Sequence, residues 1–272
     1  MLTGAGQECS DRDVRAYARI GAVAAFAAAV LGAAWPGRAA AEPYLAGYAG
    51  IAFTESKDLR TEIELSGTSL ANGRARDLEF DRSPVFGGKV GYFFDVDLLG
   101  GNTGIELDVY HFEPDVPRQR VTFSGMLAGA TGDFRTEIQS SDVEITAVTI
   151  NALYRFRLLV DPEHPRGRLQ PYVGIGVGAF IARLATTTSP FDVNKDIDDT
   201  DVRAGVQALA GMRWLITRNI SLFAEYKFVQ TQTFSFKFKE SGTVSGFPVT
   251  ETARDRASIT SHLLYGGVGF HW

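Results

Sequence analysis

Residues His262 to Trp272 read HLLYGGVGFHW, and the two faces of that segment are unlike. Successive side chains of a strand point to opposite sides. Leu264, Val268, Phe270 and Trp272 then share one face, while Tyr265, Gly267, Gly269 and His271 share the other. Eight segments follow this period: Pro43 to Phe53, Val85 to Val96, Gly104 to Phe112, Val143 to Leu158, Gln170 to Leu184, Val202 to Ile216, Asn219 to Phe236, and Ser258 to Trp272. They are rich in Val, Ile, Tyr, Phe and Gly, and no proline interrupts an interior, as strands require.

The same parity gives apolar faces such as Phe86/Val90/Tyr92/Phe94, Ile105/Leu107/Val109, Val148/Ile150/Tyr154/Phe156, Val173/Ile175/Val177/Ile181, Met212/Trp214/Ile216 and Leu222/Tyr226/Phe228. The opposite faces receive Lys89, Glu106, Asp108, Asn151, Arg155, Arg213, Glu225 and Lys227. A sheet in water would turn its charges outward and its apolar face to a core. Here the aromatic face is the one available to lipid, so the charges belong inside a closed barrel. An eight-stranded barrel is just wide enough for side chains to fill it. Lys89, Glu106, Asp108, Arg155, Arg213, Glu225 and Lys227 are therefore expected to form a mutually paired lumen network. A lipocalin-like barrel would carry the inverse pattern.

The connections alternate long and short. Short ones are Asp97 to Thr103, Leu159 to Leu169 and Thr217-Arg218; long ones are Thr54 to Pro84, Glu113 to Asp142, Ala185 to Asp201, and about Gln230 to Ala257. Transmembrane barrels have short periplasmic turns and long extracellular loops. In the first long loop, alternation over Thr61 to Leu65 and Asp77 to Phe80 around Asn72-Gly73 predicts a protruding hairpin with its turn at Asn72-Gly73. Similar patterning at Val121 to Phe123 and Phe234 to Lys239 predicts the same for loops two and four. Tyr92, Phe94, Tyr154, Phe156, Trp214, Phe270 and Trp272 near the turn ends, with Phe53, Phe112, Phe180 and Phe234 near the loop ends, are read as two interfacial aromatic belts.

At the start, Arg12, Arg15 and Arg19 precede the apolar run Ile20 to Ala34, and Ala39-Ala40-Ala41 follows. This is the pattern of a signal peptide over residues 1–41, cleaved before Glu42, with the barrel domain over 42–272. The run is short for a bilayer-spanning helix, and the long leader leaves the start codon open. The single cysteine, Cys9, lies inside the leader, so no disulfide is expected. With 27 Lys+Arg against 32 Asp+Glu and no basic stripe, nucleic-acid binding is not expected.

Three stretches carry a resemblance: PYLAGYAGIAF at Pro43 to Phe53, QPYVGIGVGAF at Gln170 to Phe180, and YGGVGFHW at Tyr265 to Trp272. Together they resemble the small outer-membrane barrels of the outer membrane protein A-like and X-like group, across about residues 42–272. The resemblance implies an all-β, eight-stranded antiparallel transmembrane barrel in the cell outer membrane. It implies a C-terminal signal at Val268, Phe270 and Trp272 read by the barrel-assembly machinery, although Phe is commoner than Trp at the last place. No peptidoglycan-binding domain is expected beyond Trp272. The implied partners are outer-membrane lipid and lipopolysaccharide, with the chain a monomer.

Function is less legible. The expected role is structural or surface-interacting, displaying four loops; a narrow porin-like channel for small or hydrophobic solutes and a lipid A-modifying enzyme are the alternatives. Ser261-His262 are neighbours on a strand and face apart; Ser258 and His262 share a face, but it points to lipid or the rim. His111 and His164 lack sequence partners, and His271 is expected to cap the lumen. The acidic run Asp192 to Asp201 places Asp192, Asn194 and Asp196 at alternate positions, yet Ile197 and Arg203 stand where a calcium loop needs Gly and Glu. No catalytic, metal or cofactor site is expected.

Overall fold

The computed structural model describes residues 42–55, 57–127, 129–138, 140–186, 197–244 and 247–272. Residues 1–41, expected to be a signal peptide, and the residues Asp192, Asn194 and Asp196 lie outside these. Eight strands close into a barrel: β1 (Glu42–Thr54), β4 (Ser83–Leu98), β5 (Gly101–Phe112), β8 (Asp142–Phe156), β9 (Leu169–Thr186), β10 (Ile197–Leu215), β11 (Ile220–Thr231) and β14 (Thr260–His271). Every neighbour is antiparallel, and β1 pairs with both β4 and β14 to close the ring (Tyr48↔Gly87, Tyr48↔Gly267). Closure gives every barrel strand a partner on both sides, as hydrocarbon demands.

The remaining strands, β2 (Lys57–Leu65), β3 (Thr68–Leu78), β6 (Gln119–Leu127), β7 (Ala130–Ile138), β12 (Phe234–Val244) and β13 (Phe247–Ala257), rise from the long loops. They join into one six-stranded sheet in the order β12-β13-β2-β3-β6-β7. Three hairpins were expected; their pairing with each other, β13 to β2 and β3 to β6, was not. The first hairpin also turns elsewhere than expected. Its reversal is Ser66-Gly67, with φ of 49° and 84°, the two positive values a two-residue hairpin turn needs. Asn72 and Gly73 are mid-strand instead, and a Cβ on Gly73 would lie 2.7 Å from the Phe123 ring. Gly73 is there for a close approach to β6, which a turn rule does not register.

Side-chain parity follows the alternation. Ile105, Ile150, Ile175, Val177, Leu264 and Phe270 are exposed on the outside, Ile175 at 70 %. Lys89, Glu106, Asp108, Arg155, Arg213, Glu225 and Lys227 are all buried inside. The turn-side aromatics Phe94, Phe156, Trp214, Phe270 and Trp272 face outward as a belt. The loop-side belt is a correction: Phe112, Phe180 and Phe234 are fully buried. Phe112 shares the parity of Glu106 and Asp108, and Phe180 that of Tyr172, so each points inward whatever its height along the strand. Phe53 is half-buried, and the exposed Phe86 stands near the loop end of its strand.

Inward glycines make room for the large rings. A Cβ on Gly91 would lie 2.5 Å from the Tyr44 ring, and one on Gly211 equally close to the Tyr172 ring. Gly211→Val is therefore expected to push Tyr172 off its place and cost about 1–3 kcal/mol, as overpacking does. The urea midpoint of the folded protein in lipid vesicles checks this.

Candidate functional site: the lumen charge cluster

The lumen side chains converge from all eight barrel strands. Lys89 of β4 bonds Glu225 of β11 and lies 3.4 Å from Glu106 of β5. Lys227 bonds Asp108 and lies 4.0 Å from Glu225. Phenols saturate the remaining acceptor positions: Tyr44 donates to Glu106 (2.5 Å), Tyr48 to Asp108 (2.8 Å), Tyr172 to Glu225 (2.6 Å), and Tyr265 also to Glu225. Asn151 donates to Glu106 (2.9 Å), and Gln207 donates to Asn151 (2.6 Å) and Thr149 (3.0 Å) while accepting from Tyr110 (2.9 Å). The Lys89 ammonium also faces the Phe223 ring at 4.8 Å. Buried charges persist only when paired and hydrogen-bonded, and this cluster meets that condition.

Two predicted members stand apart from it. Arg155 pairs with Glu42, donates to Gln170 (3.2 Å), and lies 4.0 Å above the Phe93 ring. Arg213 has no carboxylate within ion-pair distance among the described residues; it lies over the rings of Tyr44 (4.4 Å), Phe93 (5.5 Å) and Tyr172 (5.6 Å). Its charge is held by aromatic faces, a favourable contact once water is excluded. The full lumen therefore balances four cations, Lys89, Arg155, Arg213 and Lys227, against the carboxylates of Glu42, Glu106, Asp108 and Glu225.

Glu42 was absent from the sequence reading because it was taken as the first residue after cleavage. Its parity with Tyr44 and Tyr48 was the available signal. His271 stacks on Tyr44 with ring centroids 5.7 Å apart. Its Nε2 is 2.8 Å from Ser221 Oγ and its Nδ1 is 2.9 Å from Glu42 Oε1. That order, hydroxyl to imidazole to carboxylate, is the connectivity of a hydrolase triad. All three groups are buried, however, and the Tyr44 ring lies against His271.

The other histidines have local partners. His111 bridges Thr146 (3.0 Å) and Glu113 (3.1 Å), and His164 lies 3.1 Å from Asp161 in a turn. His262 is at the outer rim between Tyr226 (2.6 Å) and Glu55 (3.0 Å). The bond from His262 lowers the carboxyl pKa of Glu55. Ser261 points inward to Thr54 (2.9 Å), so the Ser261-His262 neighbours do face apart. Asp199 and Asp201, from the acidic run, accept backbone N–H groups of Lys237 and Ser235 on β12 (both 2.7 Å). They cap the free edge of that strand.

A closed antiparallel barrel with apolar exterior, filled polar interior and long loops on one side has its counterpart in a family model described as the outer membrane protein beta-barrel domain, which matches residues 21–271. The chain belongs to this outer-membrane β-barrel family. It is an outer-membrane protein.

Several solved structures are similar at low identity. The chain is similar to the outer membrane protein OprG from Pseudomonas aeruginosa, at 15% identity and a TM-score of 0.45, covering 87% of this chain and 98% of that one. It is similar to Ail, the attachment invasion locus protein of Yersinia pestis, at 10% identity and a TM-score of 0.34, covering 85% and 98%. It is also similar to the outer membrane protease OmpT from Escherichia coli, at 7% identity and a TM-score of 0.42, covering 88% and 99%. No curated protein matches by sequence.

Proposed function

We propose that this barrel is a non-conducting, non-enzymatic anchor that presents its six-stranded outer sheet to surface partners. The observation that carries this reading is the lumen: paired charges and large rings fill it at mid-height, where a solute path would need continuous water. Ions crossing there would have to break the Lys89–Glu225 and Lys227–Asp108 pairs. The buried position of Ser221, His271 and Glu42 supports a structural reading of that trio too. Planar-bilayer recordings of the pure folded protein test this: no openings are expected, and a reproducible unitary conductance would overturn it.

The outer sheet has an apolar face toward the barrel and a charged face away from it. Arg60, Glu62 and Arg74 share the outer face with Lys237, a mixed-charge surface suited to lipopolysaccharide phosphates or to a protein partner. The chain acts as a monomer in this reading, with lipid around its whole apolar belt. Val268, Phe270 and Trp272 are the assembly signal. Trp272→Ser is expected to slow assembly into proteoliposomes carrying the barrel-assembly machinery severalfold, with unassisted folding into short-chain lipid little changed. The rate of appearance of the heat-modifiable band measures both.

A further inference from the structure

Between the outer sheet and the barrel rim lies a cavity of about 260 Å³. Leu59 of β2, Phe234, Phe236 and Phe238 of β12, Leu184 of β9 and Ile259 line it. Small-molecule pockets are mostly apolar with a few placed polar groups, and run upward from about 300 Å³, so this one suits a single ring with a short chain. By strand position Phe112 and Phe180 stand on the barrel side of it, packed against Tyr110 at 6.2 and 6.4 Å between ring centroids. The lumen charges lie below these rings.

Two charged side chains line the cavity among the described residues, Glu251 and Asp255, and both are acidic. Asp255 stands on β13 between Phe236 of β12 and Thr61 of β2. Thr61 Oγ1 donates to it at 2.8 Å, and no cation pairs with it among the described residues. The neighbouring arginines, Arg254 and Arg256, leave β13 on the opposite face; Arg256 lies 3.5 Å from Glu62. Burial raises the carboxyl pKa of Asp255, as desolvation does for an unpaired carboxylate. A ligand cation is what would compensate it.

We propose that this cavity binds a small cationic amphiphile, its apolar body among Phe234, Phe236 and Phe238 and its protonated amine on the Asp255 carboxylate. Charge complementarity selects this class: a carboxylate ligand would meet the Asp255 carboxylate, which has no cation partner among the described residues. The site is independent of whether the lumen conducts.

Phenylbutylamine, phenylbutanol and phenylbutyrate are suitable probes, titrated against the folded full chain in zwitterionic nanodiscs, with empty nanodiscs subtracted. The amine is expected to bind at least about tenfold more tightly than the carboxylate, a difference of about 1.4 kcal/mol. Asp255→Asn, nearly isosteric, is expected to remove that preference while leaving the alcohol's affinity unchanged. Ala253→Phe, which fills the cavity, is expected to weaken amine and alcohol alike, with heat-modifiable migration confirming both variants fold. Equal affinity for amine and carboxylate, no measurable binding of the amine, or an unchanged preference in Asp255→Asn would each overturn the proposal.

Discussion

Replacing Lys89 by Met is expected to lower the unfolding free energy of the folded barrel by about 3–5 kcal/mol, the cost of breaking a buried ion pair by removing one partner. Lys89 serves two carboxylates, bonding Glu225 and lying 3.4 Å from Glu106. Without it, those groups keep only Lys227, Asn151 and the phenols of Tyr44, Tyr172 and Tyr265. The effect comes from charge left unpaired, not from lost volume, since Met fills most of the space. Changing Glu225 to Gln in the same chain is therefore expected to recover a good part of the loss. Urea titration of the wild type, the single variants and the double variant in lipid vesicles measures both terms. If Lys89→Met were no less stable than wild type, the lumen would have to be wet enough to solvate its acids.

The second large effect lies on the opposite face of the wall. Val177 is exposed on β9, level with Ile150 of β8 and Val206 of β10. Val177→Arg is expected to cost about 2–4 kcal/mol, the value for a cation on the lipid face at the midplane. Val202, exposed nearer the loop end of β10, is expected to accept Arg for about 0–1 kcal/mol. Only lipid produces that depth dependence. In a protein whose outer face met water, both changes would be close to neutral, and the same titrations distinguish the cases.

Much of this architecture was legible because one period governs it. Alternation placed Lys89, Glu106, Asp108 and Glu225 on inward faces and Ile105, Ile175 and Leu264 on outward ones, since no neighbour can alter which side a strand residue faces. The long and short connections gave the hairpin order for the same local reason. What was not legible depends on contacts between distant segments. The joining of β13 to β2 and of β3 to β6 is set by the height to which each hairpin rises, and no local pattern encodes it. Asn72-Gly73 looked like a turn because its real constraint, the Phe123 ring, is about fifty residues away.

The lumen shows the same limit at finer scale. Sequence parity supplied the charges but not their partners. Arg213 was expected to find a carboxylate and lies instead on Tyr44, Phe93 and Tyr172, whose close approach depends on glycine at positions 91, 104 and 211. Phe112 and Phe180 were assigned to a lipid-facing belt by their height alone, and parity would have turned them inward. Asp255 was not singled out, because its role depends on the outer sheet folding over the barrel mouth.

Methyl-labelled protein in nanodiscs offers the most direct test of the inside-outside assignment. Nuclear Overhauser contacts with lipid acyl methylenes are expected from the methyls of Ile150, Ile175, Val177 and Leu264, and none from those of Leu153, Leu209, Val229 and Leu263, which are buried within the wall. Acyl contacts from the second set, or water contacts with the first, would contradict a barrel that turns its apolar face to the membrane.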